Sequence, residues 1–124
     1  MRLVYLAGPY SHSDEKIVQQ RIDAYAEAVA YFMAVAVNLY VFSPVLQCFY
    51  VAKQHNLPHD FKFWAERDFF MIQKSSAMWV LTLKGWQESY GLSQELEYAE
   101  SIGRDILYVD RTPTGFRLMD ARPD

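Results

Sequence analysis

Short apolar, β-prone runs alternate along this chain with stretches whose apolar residues step by threes and fours. That alternation leaves few folds open. Leu3 to Ala7 is an apolar run closed by Gly8-Pro9 and reads as a buried strand. Ser11 and Ser13 offer N-caps, with Asp14 and Glu15 placed to favour a helix start. Val18, Ile22, Tyr25, Val29, Phe32, Met33 and Ala36 then form one face of a long amphipathic helix. Leu39 to Phe42 reads as a second strand, ended by Ser43-Pro44, and Pro44 opens the next helix at its first position. That helix carries Val45, Phe49 and Ala52 and stops before Asn56-Leu57-Pro58. Asp60 can cap a further helix to about Ser75. Ala77 to Leu83 is the third strand and Lys84 to Tyr90 a polar loop. Leu92 to Ile102 is a helix terminated by Gly103, and Ile106 to Val109 is the fourth strand. The last fourteen residues carry no clear period.

The order β-α-β-α-α-β-α-β predicts an α/β fold, flavodoxin- or Rossmann-like and doubly wound. It implies a mostly parallel sheet of about four or five strands with helices on both faces. Right-handed crossovers make 2-1-3-4 the simplest strand order. The switch point then lies between the first and third strands, where such folds bind ligands at the carboxyl ends. The loops there are Gly8-Pro9-Tyr10-Ser11 and Lys84 to Gly91.

Composition narrows the partners. With 124 residues the chain reads as one domain, 1–124, long enough to bury a core without a metal or disulfide staple. A net charge of -3 argues against a groove for a nucleic-acid polymer but not against a small phosphate site. The single cysteine, Cys48, excludes an internal disulfide and fits a reducing compartment. The first apolar run breaks too early for a signal peptide, and Ala24 to Val37 is too short to span a bilayer. The expectation is a cytoplasmic protein with no membrane partner. Aromatic residues make up 16% of the chain, about twice an ordinary share. That excess points to a subunit interface or a stacking pocket, and a homodimer or homotetramer is expected.

Two carboxylates fall where charges do not belong. The helix after Asp60 has an apolar face of Phe61, Trp64, Ala65, Phe69 and Ile72, and Asp68 shares it. The helix from Leu92 has an apolar face of Leu92, Leu96, Ala99 and Ile102, and Glu95 shares it, while Glu97 and Glu100 fall away. An inward carboxylate must be paired, neutral or lining a cavity. Either acid alone fits a structural role, such as bonding an arginine or meeting a helix dipole. As a pair beside the predicted switch point they suit acid–base or nucleophilic chemistry.

Three segments together resemble the nucleoside 2-deoxyribosyltransferase superfamily, which includes the 2'-deoxynucleoside 5'-phosphate N-hydrolases. They are Val4-Tyr5-Leu6-Ala7-Gly8-Pro9-Tyr10, Asp68 in its helix, and Ser89-Tyr90-Gly91-Leu92-Ser93-Gln94-Glu95-Leu96-Glu97-Tyr98-Ala99. The similarity runs from Tyr5 to about Val109 and is closest to short bacterial members with no assigned activity. It implies that Glu95 is a nucleophile attacking the anomeric carbon, that Asp68 works with the leaving or incoming base, and that Tyr5 orients the nucleophile. It implies that Gly8, with Pro9 and Tyr10 beside it, borders the sugar, and that Ser89 contacts a 5'-phosphate. The amides of Gly91-Leu92-Ser93 at a helix start suit an anion, which adds Gly91 and Ser93 to the substrate-binding set. The implied reaction is cleavage or transfer at the N-glycosidic bond of a deoxynucleoside or its 5'-monophosphate, through a covalent glycosyl-enzyme intermediate. No cofactor and no metal are implied. Departures from the family pattern in the first loop and at Ser89 leave open two alternatives: a non-catalytic nucleotide-binding or sensing module in the same cleft, and an interaction protein with a vestigial site.

Lesser features carry blander expectations. His55 and His59 are four apart, but Pro58 between them breaks the helix a metal pair would need. Trp64 and Trp86 read as core or interface residues ahead of base-stacking ones, and Cys48 as a buried inert thiol.

Overall fold

The computed structural model describes residues 1–124. The elements in chain order are β1 (Arg2–Ala7), α1 (Glu15–Val35), β2 (Leu39–Phe42), α2 (Pro44–Gln47), α3 (Lys53–His55), α4 (Phe61–Lys74), β3 (Ala77–Leu81), α5 (Tyr90–Ser101), β4 (Asp105–Thr112) and β5 (Gly115–Met119). A π-helical turn, Cys48–Ala52, joins α2 to α3, and a 3-10 turn, Trp86–Glu88, precedes α5. The five strands form one sheet in the order β2-β1-β3-β4-β5. β1 runs parallel to β2 and β3, and β3 parallel to β4. The sheet is α/β and doubly wound, and the four parallel strands follow the expected 2-1-3-4 order.

The fifth strand comes from the stretch that carried no period. β5 pairs antiparallel with β4 through a tight turn, with Thr112 opposite Gly115. Phe116 is its one buried residue, and Leu118 on the same edge strand is 42% exposed. A strand with a single core contact shows little alternation.

Side-chain parity assigns the two faces. Val4 and Leu6 of β1 and Ala77, Trp79 and Leu81 of β3 pack against Ile22, Tyr25, Ala28 and Phe32 of α1 and Val45 of α2. Tyr5, Ala7, Met78 and Val80 point the other way, onto Ile72 of α4 and Leu92, Leu96 and Ala99 of α5. Tyr5 therefore faces α4 and α5 because it is the odd residue of a strand whose even residues serve α1.

Local details depart from expectation for local reasons. Asp14, not Ser11 or Ser13, caps α1, its Oδ1 accepting from the Lys16 amide at 2.9 Å. Asp60 occupies the N-cap position of α4 but makes no side-chain bond to it. Ser89 caps α5, so that helix starts two residues before Leu92, and β3 ends at Leu81 rather than Leu83. Met33, expected on the inner face of α1, is 40% exposed, because Phe32 beside it takes the place against Trp79.

Candidate active site

The carboxyl ends of β1 and β3 open onto a cleft of about 1100 Å³. Its walls come from the loop after β1, the start of α1, α2, the loop between β3 and α5, and residues of α4 and α5 as far as Asp68 and Glu95. The expected switch-point loops are both there.

Glu95 lies on the floor. It is only 6% exposed and still lines the cleft. The Tyr5 hydroxyl, fully buried behind it, donates a hydrogen bond to Glu95 Oε2. Asp68, half-buried on α4, borders the same space. Periodicity selected both acids, and the fold puts them in one cleft.

Burial and proximity set their protonation. Burial raises the Glu95 carboxyl well above the usual range and the neighbouring Asp68 raises it further, while the Tyr5 hydrogen bond pulls it back. Asp68 is pushed up to about 7 by burial, partly offset by its interaction with Glu95. Both carboxyls are raised and each acts on the other, so the two acids titrate as a pair. Burial, and then the charge on Glu95, push Tyr5 upward, so it stays a donor.

Gly8 and Pro9 form the bend after β1. The Tyr25 hydroxyl of α1 donates to the Pro9 carbonyl at 2.9 Å, and any Cβ at Gly8 would overlap that hydroxyl. Gly8 is thus required by the fold as well as bordering the cleft. Tyr25 is fully buried, which raises its hydroxyl; Glu95 raises it further and Arg21 lowers it.

Tyr10 lines the cleft, its hydroxyl 3.3 Å from His59 Nδ1 on the opposite wall. Burial drives its hydroxyl up and takes the adjacent Cys48 thiol to about 11, so both are protonated at neutral pH. Cys48 is buried, as expected, yet it borders the cleft. Ser89 lines it too, its Oγ accepting from the Leu92 amide at 3.3 Å, which leaves its O–H free to donate. Gly91 packs against Phe61, where a Cβ would come within 3.1 Å of the ring, so glycine lets α5 approach α4 here. Ser93 is placed differently from the others. It is exposed, lies outside the cleft wall, and donates its hydroxyl to the Tyr90 carbonyl at 2.6 Å. Trp64 borders the cleft and donates Nε1 to the Pro58 carbonyl at 2.8 Å, whereas Trp86 is buried against Tyr108, away from it.

Sequence reasoning missed Arg21. It is 9% exposed, lines the cleft, and donates to the carbonyls of Tyr10, Ser11 and Lys84 at 3.3, 2.9 and 3.2 Å. The signal was present. Arg21 lies three residues after Val18 and four before Tyr25, on the same inner stripe by the same stepping that marks Asp68 and Glu95.

Comparison with known proteins gives a family and a fold. The family model described as "Domain of unknown function (DUF1937)" matches residues 2–110. Among curated proteins nothing matches. Among solved structures, a 2-desoxiribosyltransferase from Leishmania mexicana matches with a TM-score of 0.56 at 16% identity, over 90% of this chain. The chain spans 66% of the length of that protein. At that identity the likeness is one of fold.

Proposed function

The chain belongs to the family described as Domain of unknown function (DUF1937), and for this member we propose cleavage or transfer at the N-glycosidic bond of a deoxynucleoside or its 5'-monophosphate. The observation that carries it is the acid pair: buried Glu95, held by Tyr5, and Asp68 with a carboxyl raised to about 7, in one cleft. The likeness of fold to a 2-desoxiribosyltransferase agrees with it.

In this mechanism Glu95 reacts ionised and Asp68 protonated. The free oxygen of Glu95 bonds to the anomeric carbon as the bond from that carbon to the base nitrogen breaks, and Asp68 delivers its proton to the departing base. The sugar is left as an ester of Glu95. Water, or a second base, then attacks the same carbon and gives its proton to Asp68, and the ester bond returns its electron pair to Glu95. Tyr5 touches no substrate atom and acts as a positioning residue. Its hydrogen bond aims Glu95 and favours the ionised form. The enzyme works as one domain, 1–124, and as a homo-oligomer, for which exposed Tyr40, Tyr50, Phe70 and Tyr90 supply aromatic surface. A monomeric mass by light scattering at micromolar concentration contradicts the oligomer.

The test is chromatography of the protein incubated with deoxynucleosides, ribonucleosides and their monophosphates, beside Glu95→Ala. Free base from the wild type alone supports the proposal. Base released equally by Glu95→Ala refutes the nucleophile. Binding with no base released from any substrate turns the assignment to a nucleotide-binding module.

A further inference from the structure

The two loops of the switch point have little backbone holding them. Residues 8–13, after β1, make no backbone-to-backbone hydrogen bond. Their carbonyls at Pro9, Tyr10 and Ser11 are held by side chains of α1 instead: Tyr25 takes the first and Arg21 the other two. The loop after β3 is folded on itself, with the Trp86 amide donating to the Leu83 carbonyl at 3.0 Å. No backbone bond joins it to the first loop. Arg21 is the one side chain hydrogen-bonded to both.

The shape of the guanidinium suits that bridge. Nη1 donates to Tyr10 and Ser11 at 3.3 and 2.9 Å, and Nη2 to Lys84 at 3.2 Å, so one planar fork fixes the spacing of two loops. Neither of the chain's ion pairs, Arg111–Glu27 and Arg117–Asp110, includes Arg21. Its charge is therefore answered within the protein only by loop carbonyls. If either loop swings away, a buried cation loses its partners, and that cost keeps both loops in place. Gly85 is fitted to the same contact. It has a φ of +91°, and a Cβ there would stand 2.9 Å from Nη2.

We propose that Arg21 is a positioning residue that couples the two loops, so that they hold or release the cleft wall together. Tyr10 and Lys84, whose carbonyls it grips, both line the cleft. Tyr5, Asp68 and Glu95 stand on β1, α4 and α5, outside the loops. Arg21 thus sets the wall against which substrate rests and leaves the reacting carboxyls alone. The consequence for turnover rests on the glycosidic assignment, whereas the coupling is measured without it.

The experiment uses the two peptide bonds whose carbonyls Arg21 holds. Tyr10–Ser11 is a chymotrypsin site and Lys84–Gly85 a trypsin site. Slow cleavage at such bonds reports the population of the opened loop. Wild type, Arg21→Met, Arg21→Lys and Gly85→Ala are digested briefly and the cut sites identified by mass. Arg21→Met should speed cleavage at both bonds roughly ten- to a hundredfold, the range for lost hydrogen bonds to a charged group, with other sites unchanged. Gly85→Ala, which pushes on Nη2 from the second loop, should speed cleavage at Tyr10–Ser11 in the first. Arg21→Lys keeps the charge without the fork and should free at least one of the two bonds. An unchanged rate at either bond in Arg21→Met overturns the proposal. So does an equal rise at every site, which would make Arg21 a general stabiliser, or a Tyr10–Ser11 bond left untouched by Gly85→Ala. Full protection in Arg21→Lys overturns it as well, since charge alone would then suffice. If Arg21→Met does not fold, Gly85→Ala and Arg21→Lys still decide. In base-release kinetics Arg21→Met should raise KM roughly tenfold or more, with kcat and the acid limb of the pH profile within about threefold of wild type. A fall in kcat at unchanged KM overturns the positioning role. Coupled loops in a wild type that releases no base sink the glycosidic assignment and leave the coupling standing.

Discussion

Replacing Asp68 with asparagine should make the protein more stable at pH 8 while removing its activity. The Asp68 carboxyl is raised from its ordinary 3.8 to about 7, chiefly by burial. Between those values the folded chain holds a proton that the unfolded chain has lost. Stability therefore falls as pH rises from about 4 to about 7 and levels off above that. Three pH units at about 1.4 kcal/mol each set a ceiling of about 4 kcal/mol. Asp68 is half-buried, and solvent screening lowers this to about 2–3 kcal/mol. An amide of the same shape carries no charge at any of these pH values. Asp68→Asn should thus match the wild type at pH 4 and exceed it by about 2–3 kcal/mol at pH 8. The assay is urea unfolding of both proteins at pH 4, 6 and 8. Some slope should survive in Asp68→Asn, because Glu95 is raised in the same direction, and Asp68→Asn with Glu95→Gln should flatten it. Base release by Asp68→Asn should drop roughly 10²- to 10⁴-fold, the usual contribution of a general acid. Wild-type activity should decline above about pH 7 as Asp68 loses its proton. Parallel stability curves for wild type and Asp68→Asn would falsify the assignment of a buried charge cost to Asp68.

Two further perturbations test neighbouring links. Tyr5→Phe removes the donor to Glu95 Oε2, a bond to a buried charge worth about 1.5–3 kcal/mol. Steady-state kinetics should show a roughly ten- to hundredfold loss in kcat with KM little changed, and the acid limb of the pH profile should move to higher pH. An unaltered acid limb would show that Tyr5 does not tune the nucleophile. Gly8→Ala puts a methyl group onto the Tyr25 hydroxyl and 3.1 Å from the Leu81 carbonyl, and should lower the unfolding free energy by about 1–3 kcal/mol. Tyr25→Phe in the same chain should recover part of that loss, and a Gly8→Ala protein that unfolds at the wild-type midpoint contradicts the overlap.

Much of the architecture was legible because it rests on patterns that repeat within one element. The apolar runs at Leu3, Leu39 and Ala77 are strands, and burial on alternate faces of β1 and β3 follows from a period of two. The stepping that set Asp68 and Glu95 on inner stripes also holds, with Glu97 and Glu100 exposed as expected. The capping residue of α1 was harder to read, since Ser11, Ser13 and Asp14 all have suitable side chains and only the path of the loop selects Asp14. β5 was not legible, because an edge strand that buries only Phe116 leaves almost no periodic mark.

The sequence by itself determined which faces point inward, because hydrophobic burial acts residue by residue along a helix or strand. It singled out Glu95 and Asp68, and with the crossover rule it located the two loops that meet at the switch point. The family resemblance linked Tyr5 to Glu95, but only the tertiary structure brings these two residues, ninety apart, into a hydrogen bond with Tyr5 as donor. The fold likewise decided that Ser93 turns back onto its own helix while Ser89 faces the cleft, and that Arg21 finds three carbonyls but no carboxylate. These are contacts between elements, and they depend on where whole helices come to rest. A periodic pattern records that a charge is buried; only the assembled fold records what answers it.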